Sequence, residues 1–450
     1  MHHKCIRLHQ DAISRQPLLL YADDLVLIAP DLQTLQAYMD ILFDFCRLVG
    51  MQVNIDKTKA VVFRGPKIPW PYIFSKKGRK CHPTNYSRFP EYDPQRQKLF
   101  YPSAAKNSRI SQEIEFVDSF RYLGFELHAT KDLSYGASIL LDRAHRSMHA
   151  VLARIRQLNI QSLQVSWYLF QTLVIPIALY ACEVWLPFVW TKDWSDSPLE
   201  FLQRHFLRSL FHLQQGTSIS VLMWEFGRQP LQHVALGRAI KYHNHIISLD
   251  PGRLLFQSHV EQLRNAHKHS FSSLMCSLPG VIHVDPEPLA LSVLERIHDH
   301  FIADLEKDFS TATLEKSRPI YSYNQLRSIF GYAFHLTDFG IAHVDQIALV
   351  RFRVCSNTLE VNTGSWSKIP REQRLCPKCP TCIGDERHFL FDCPEFSSLR
   401  AKFSTLPFDG GDLKIFFDYF GDVLNTARFI SLLSREHYLS RNRIAMGQRA

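Results

Sequence analysis

Charge is what this sequence lacks over its longest uncharged run: Gln157 to Cys182 contains no Asp, Glu, Lys or Arg. Asn159, Gln161, Gln164, Ser166, Gln171 and Pro176 interrupt the run, and unpaired polar groups are costly in lipid. A buried helix pair is therefore expected there, and no membrane partner. No apolar h-region follows Met1-His2-His3-Lys4, so the expectation is an intracellular protein, nuclear or cytoplasmic and not secreted. Internal repeats and low-complexity tracts are absent too, which excludes solenoid and fibrous classes. A disulfide framework is not expected from the ten cysteines, because six are scattered and the chain reads as intracellular.

What is present is a folded chain of 450 residues, 46% hydrophobic and 21% charged, long enough for two or three cores. Its net charge of +9 has one source. Between Arg64 and Arg109 stand eleven Lys or Arg against two acids, Glu91 and Asp93, which leaves forty-one of each sign elsewhere. Seven prolines and aromatics such as Trp70, Tyr72, Phe74, Tyr86 and Tyr101 are interleaved with these cations. Cations neutralise phosphates and aromatics stack on bases, so the segment suits single-stranded nucleic acid. A solvated Pro-rich insertion is an equally good reading.

Tyr21-Ala22-Asp23-Asp24 lies between Leu18-Leu19-Leu20 and Leu25-Val26-Leu27-Ile28. Burying one carboxylate costs several kcal/mol or more, and two side by side repel. The pattern therefore predicts a β-hairpin whose turn presents the acids. Taken alone, such a pair reads as an ordinary solvated turn; a pair of hard oxygen ligands at a tip also suits Mg²⁺ and phosphoryl transfer. Asp31 then N-caps a helix whose apolar stripe runs Leu32, Leu35, Met39, Leu42, Phe45, Cys46, Val49 and which ends at Gly50. Val53 to Phe63 predicts turn then strand, and Phe120 to Phe125 a short strand containing Gly124.

This ordered series resembles the palm of a reverse transcriptase of the non-LTR (LINE-type) retrotransposon family. Tyr21–Asp24 is similar to motif C, Gly50 through Lys57-Thr58 to motif D, and Tyr122-Leu123-Gly124 to motif E, the primer grip. Leu173 to Trp185, Leu202 to Arg208 and Glu225 to Leu231 resemble the thumb and post-thumb blocks. The resemblance implies RNA-directed DNA polymerase chemistry, with RNA and DNA as partners. Asp23 and Asp24 would hold Mg²⁺, Lys57 would approach the incoming phosphates as a general acid, and Tyr122, Leu123 and Gly124 would steer the primer end. The family's motif A aspartate, motif B and fingers should precede Asp23, where 22 residues stand. His2, His3, Asp11 and Ser14 offer nothing like a strand ending in a catalytic Asp. The expectation is an incomplete active site in a truncated chain, inactive alone, or a non-catalytic zinc-dependent nucleic-acid-binding protein.

Cys376, Cys379, His388 and Cys393 give the spacing C-x2-C-x8-H-x4-C, a closed set for structural Zn²⁺. Cys382 is a spare thiol that competes with Cys379. The spacing resembles the family's C-terminal zinc knuckle, flanked by Glu386 and Pro394. Such a module would order about twenty residues and present Arg371, Arg374, Lys378 and Arg387 to nucleic acid.

The expected fold class is α+β: a partial reverse-transcriptase palm at 1–130 with a basic insertion at about 64–110, then a helical thumb and post-thumb region at 131–250. A mainly helical connection at 251–370, a CCHC knuckle at 371–400 and a helical tail at 401–450 would follow. Histidines such as His298 and His300 in the connection receive no role.

Overall fold

In the computed structural model of the chain, the described residues are 18–63, 98–101, 112–264, 269–278, 281, 287–289, 292–314, 318–327, 330, 340–418 and 422–447. They form two units, one from Met1–Leu140, Ala181–Val189 and Ala239–Leu289, the other from Leu141–Tyr180, Trp190–Arg238 and Ala290–Ala450. The basic segment falls largely outside the described residues, as do residues 1–17.

In the first unit, strands β1 (Leu18–Tyr21) and β2 (Asp24–Leu27) pair antiparallel, with Leu18 opposite Leu27 and Tyr21 opposite Asp24. A two-residue turn, Ala22-Asp23, joins them. Helix α1 (Leu32–Val49) starts where the Asp31 carboxylate accepts the Thr34 N–H at 2.8 Å. These hydrogen bonds hold the Asp31 carboxyl below its ordinary range. The helix stops at Gly50, whose φ of 74° suits a residue lacking Cβ.

Three short strands follow: β3 (Lys59–Ala60), β4 (Leu99–Tyr101) and β5 (Gln112–Phe116), in the order β3-β5-β4. β3 runs parallel to β5 and β4 antiparallel to it. Met39, Ala60, Leu99 and Ile114 form the core beneath them. The Gln36 amide donates to the Phe100 carbonyl and accepts its N–H, pinning α1 to β4. The strand expected within Val53–Phe63 shrinks to the two residues of β3, because a turn at Ile55–Lys57 occupies the start.

The short strand expected at Phe120–Phe125 is instead a hairpin of β6 (Ser119–Tyr122) and β7 (Phe125–His128). Leu123 at φ 46° and Gly124 at φ 88° form its turn, and positive φ at both central residues matches the right-handed strand twist. Helix α2 (Leu133–Gln157) then begins so close to β7 that a Cβ on Gly136 would collide with the Phe125 ring and the Glu126 carbonyl.

The second unit is helical. Leu163–Leu173 is capped by Ser162 and buries Leu163, Trp167 and Phe170. Phe170 stacks on Phe206 of Pro198–Leu210 with ring centres 4.3 Å apart. Deeper in the unit, Arg353 holds Glu225 through Nε at 2.7 Å and Nη2 at 3.2 Å, and the Tyr323 hydroxyl donates to the same carboxylate at 2.8 Å. Helix His343–Arg353 packs along Val423–Gly447. Among the described residues no single helix is long and apolar enough to cross a membrane.

Candidate functional site

Strong β formers on either side and a two-residue turn put Asp23 and Asp24 at an exposed hairpin tip. Ala22 carries the turn at φ 53°, a left-handed conformation that costs a residue with a Cβ roughly 1–2 kcal/mol. Neither carboxylate has a side-chain hydrogen bond or ion pair among the described residues, so both are open to solvent or a cation. Lys57 is exposed, in a turn set by the Asn54 side chain, which accepts the Lys57 N–H at 3.2 Å. Leu27 of the hairpin, and Val53 and Ile55 beside Lys57, pack on the same Met39–Ile114 core. That shared core fixes the hairpin base and the Lys57 turn to one scaffold, although among the described residues no hydrogen bond or ion pair joins Lys57 to either acid. Tyr122, Leu123 and Gly124 occupy the end of β6 and its turn.

The second site is built by a knuckle. Cys376 N–H donates to the Cys382 carbonyl at 2.8 Å and Cys382 N–H to the Cys379 carbonyl at 2.9 Å. Leu375 bridges Ile383, and the Asp385 carboxylate accepts the His388 N–H at 3.1 Å, aiming the next turn. The ligand atoms of Cys376, Cys379, His388 and Cys393 lie within 4.8 Å of one another. Cys393 Sγ is 4.0 Å from Cys376 Sγ and 3.8 Å from Cys379 Sγ. A tetrahedron with Zn–S of about 2.3 Å has an edge of about 3.8 Å. The buried His388 Nε2 makes no hydrogen bond among the described residues, which suits a ligand nitrogen. The residues therefore fit a zinc ion. A hydrogen bond from the Cys393 thiol pulls Cys376 down to about 5, and the same bond holds Cys393 up. Cys382 is exposed and stands outside the group.

Of the four cations expected to face nucleic acid, Arg374 is a buttress instead. Its Nε donates to the Ile369 carbonyl at 2.7 Å and its Nη1 to the Val361 carbonyl at 3.1 Å, with its stem against Gly364. Arg371 pairs with Asp385 at 3.1 Å and Lys378 with Glu395 at 3.5 Å, while Arg387 is exposed. Sequence reasoning missed what anchors the knuckle. Buried Glu386 takes a charged hydrogen bond from Arg318 and further bonds from Asn357 and Asn362 at 3.3 and 3.2 Å. Only the position of Glu386 in the knuckle signalled it; Arg318 lies 68 residues away.

Residues 2–127 match the family model described as reverse transcriptase (RNA-dependent DNA polymerase). The match spans the Asp23-Asp24 hairpin, the Lys57 turn and the Tyr122–Gly124 turn, and it supports a reverse-transcriptase domain here. Domains of that class bind nucleic acid and use divalent metal. No curated protein and no solved structure matches the chain.

Proposed function

We propose that the N-terminal unit supplies the motif C, D and E portion of a non-LTR-type reverse-transcriptase palm, and that the chain by itself binds nucleic acid without polymerising it. The observation that carries this reading is the exposed hairpin tip with two adjacent carboxylates and, among the described residues, no third acid gathered with them. Two-metal catalysis needs carboxylates converging on both ions. Mg²⁺ bound there would act as a Lewis acid on the phosphate. Asp23 and Asp24 would hold one side of that site, Lys57 would donate a proton toward the departing pyrophosphate, and the Tyr122–Gly124 turn would support the primer's 3′ end.

The apolar surface of this unit supports the same reading. Eleven of the twenty-eight large apolar side chains exposed among the described residues lie between Leu18 and Phe63, including Leu20, Ile41, Phe45 and Leu48. An isolated two-stranded hairpin is marginal in water, and these side chains leave it and α1 room for further packing. In the proposed reading, catalysis at this tip would require a third acid to be brought to it. A second, non-catalytic role in this reading is a zinc-ordered knuckle that offers the exposed Arg387 to nucleic acid; the Cys3His geometry supports the zinc part of it.

Binding tests the proposal. Deleting residues 64–109 removes the segment that carries the net charge, so affinity for a single-stranded oligonucleotide should fall and its salt dependence should flatten. Anisotropy titrations at two salt concentrations read both. Unchanged affinity and slope would return the segment to a solvated insertion.

A further inference from the structure

A groove lies between two packed helices of the second unit, His343–Arg353 and Val423–Gly447. Its volume is about 610 Å³, within the ordinary span for ligand sites. Three arginines line it, Arg351 from one helix and Arg428 and Arg435 from the other, against one acid, Asp345. Arg428 and Arg435 stand two helical turns apart, so they share a face with Ser431 and Leu432 between them. Both arginines are exposed, and among the described residues neither takes part in a hydrogen bond or ion pair. Arg351 is half-buried with no carboxylate partner among those residues, and its guanidinium reaches the Ser356 carbonyl at a long 3.5 Å. Burial holds that guanidinium below the ordinary arginine range, a cost that a bound anion would offset.

We propose that this groove binds the phosphodiester backbone of a single-stranded nucleic acid, through residues that belong neither to the basic segment nor to the knuckle. The inference rests on the nucleic-acid-binding reading above and gives that reading a site in the second unit. Guanidinium forks take phosphate oxygens two at a time, and a serine hydroxyl such as Ser431 is a further common donor to them. Arg428 and Arg435 are about 10.5 Å apart along their helix, over which a stacked strand presents about three phosphates at roughly 3.4 Å each. Ile347 and Leu432 line the same groove, and apolar walls strengthen the attraction by displacing water. Among the described residues no aromatic side chain lines it, which favours contact with the backbone over stacking on bases. Asp345 opposes the strand without reversing the sign of the groove.

Fluorescence anisotropy of a labelled oligothymidylate, titrated with the full-length chain at several salt concentrations, tests the site. Arg428→Gln and Arg435→Gln together should weaken binding about tenfold at about 0.1 M salt and flatten the slope of log K against log salt by about 1.4, two contacts at roughly 0.7 each. Circular dichroism should not change, because both side chains are exposed. Asp345→Asn should tighten binding. Lys307→Gln with Lys402→Gln removes the same charge from exposed positions outside the groove and should move the slope by less than half as much. A double-arginine variant that binds like the double-lysine one would overturn the groove and leave the broader reading standing. Polyglutamate binding that needs the two arginines, with oligothymidylate binding indifferent to them, would also overturn it and assign the groove to an acidic peptide. A wild-type chain that binds no oligothymidylate would overturn both.

Discussion

Glu200→Gln should make this protein more stable at neutral pH and almost no more stable at pH near 5. Glu200 is fully buried in the helix Pro198–Leu210. Its carboxyl accepts the Gln232 N–H at 3.2 Å and the Gln203 amide at 3.3 Å, with no guanidinium or ammonium in hydrogen-bonding reach among the described residues. Burial pushes its pKa from 4.5 up to about 8. The folded chain therefore keeps this proton between those two values, while the unfolded chain loses it. Stability falls as pH rises through that window, by about 1.4 kcal/mol per unit, and levels off above the folded value. The cost reaches about 3 kcal/mol at pH 7 and about 5 kcal/mol above pH 8, and stays below about 1 kcal/mol at pH 5. Glutamine keeps the shape and cannot ionise, at the expense of about 1 kcal/mol if its amide hydrogens are poorly placed. Urea unfolding of both proteins at about pH 5, 6.5 and 8, followed by circular dichroism, reads the difference. A wild-type-minus-variant gap that stays constant across that range would mean that Glu200 does not hold its proton in the folded chain.

Cys393→Ser should abolish stoichiometric zinc in metal analysis and loosen the 371–400 region in hydrogen exchange, since structural zinc contributes on the order of 10 kcal/mol to such modules. Cys382→Ser should retain the zinc, and equal metal in all three proteins would remove Cys393 from the ligand set. Arg353→Met takes the guanidinium away from buried Glu225 and should cost about 3–5 kcal/mol in chemical unfolding, with part recovered when Glu225→Gln is added. A cost under about 1 kcal/mol would show that this ion pair is not the anchor its burial indicates.

Local signals carried the legible part of this structure. The Asp31 cap, the 3.6-residue stripe and Gly50 bounded α1 because a helix is written in neighbours a few residues apart. The acid hairpin followed from apolar runs flanking two turn formers, and the Cys3His set from its spacing. Pairings across long separations were not legible. Nothing in Lys59-Ala60 announces a parallel partner at Glu115-Phe116, and nothing in Arg353 announces Glu225, 128 residues away. The hairpin at Leu123-Gly124 was hidden because Leu rarely takes the positive φ it adopts there, so the stretch read as one strand. Arg374 read as a free cation because the carbonyls it buttresses, at Val361 and Ile369, carry no side-chain signature.

Primer extension by the full-length chain on a primed RNA template, with Mg²⁺ present, asks whether the Asp23-Asp24 tip can polymerise. Positioning of nucleotide against the primer end supplies much of phosphoryl-transfer catalysis, and Mg²⁺ gives up its waters reluctantly to a partial cage. Synthesis should not exceed that of an Asp23→Asn, Asp24→Asn control. Template-dependent extension that disappears in Asp23→Asn alone would contradict the account, and would mean that another acid of this chain completes the site.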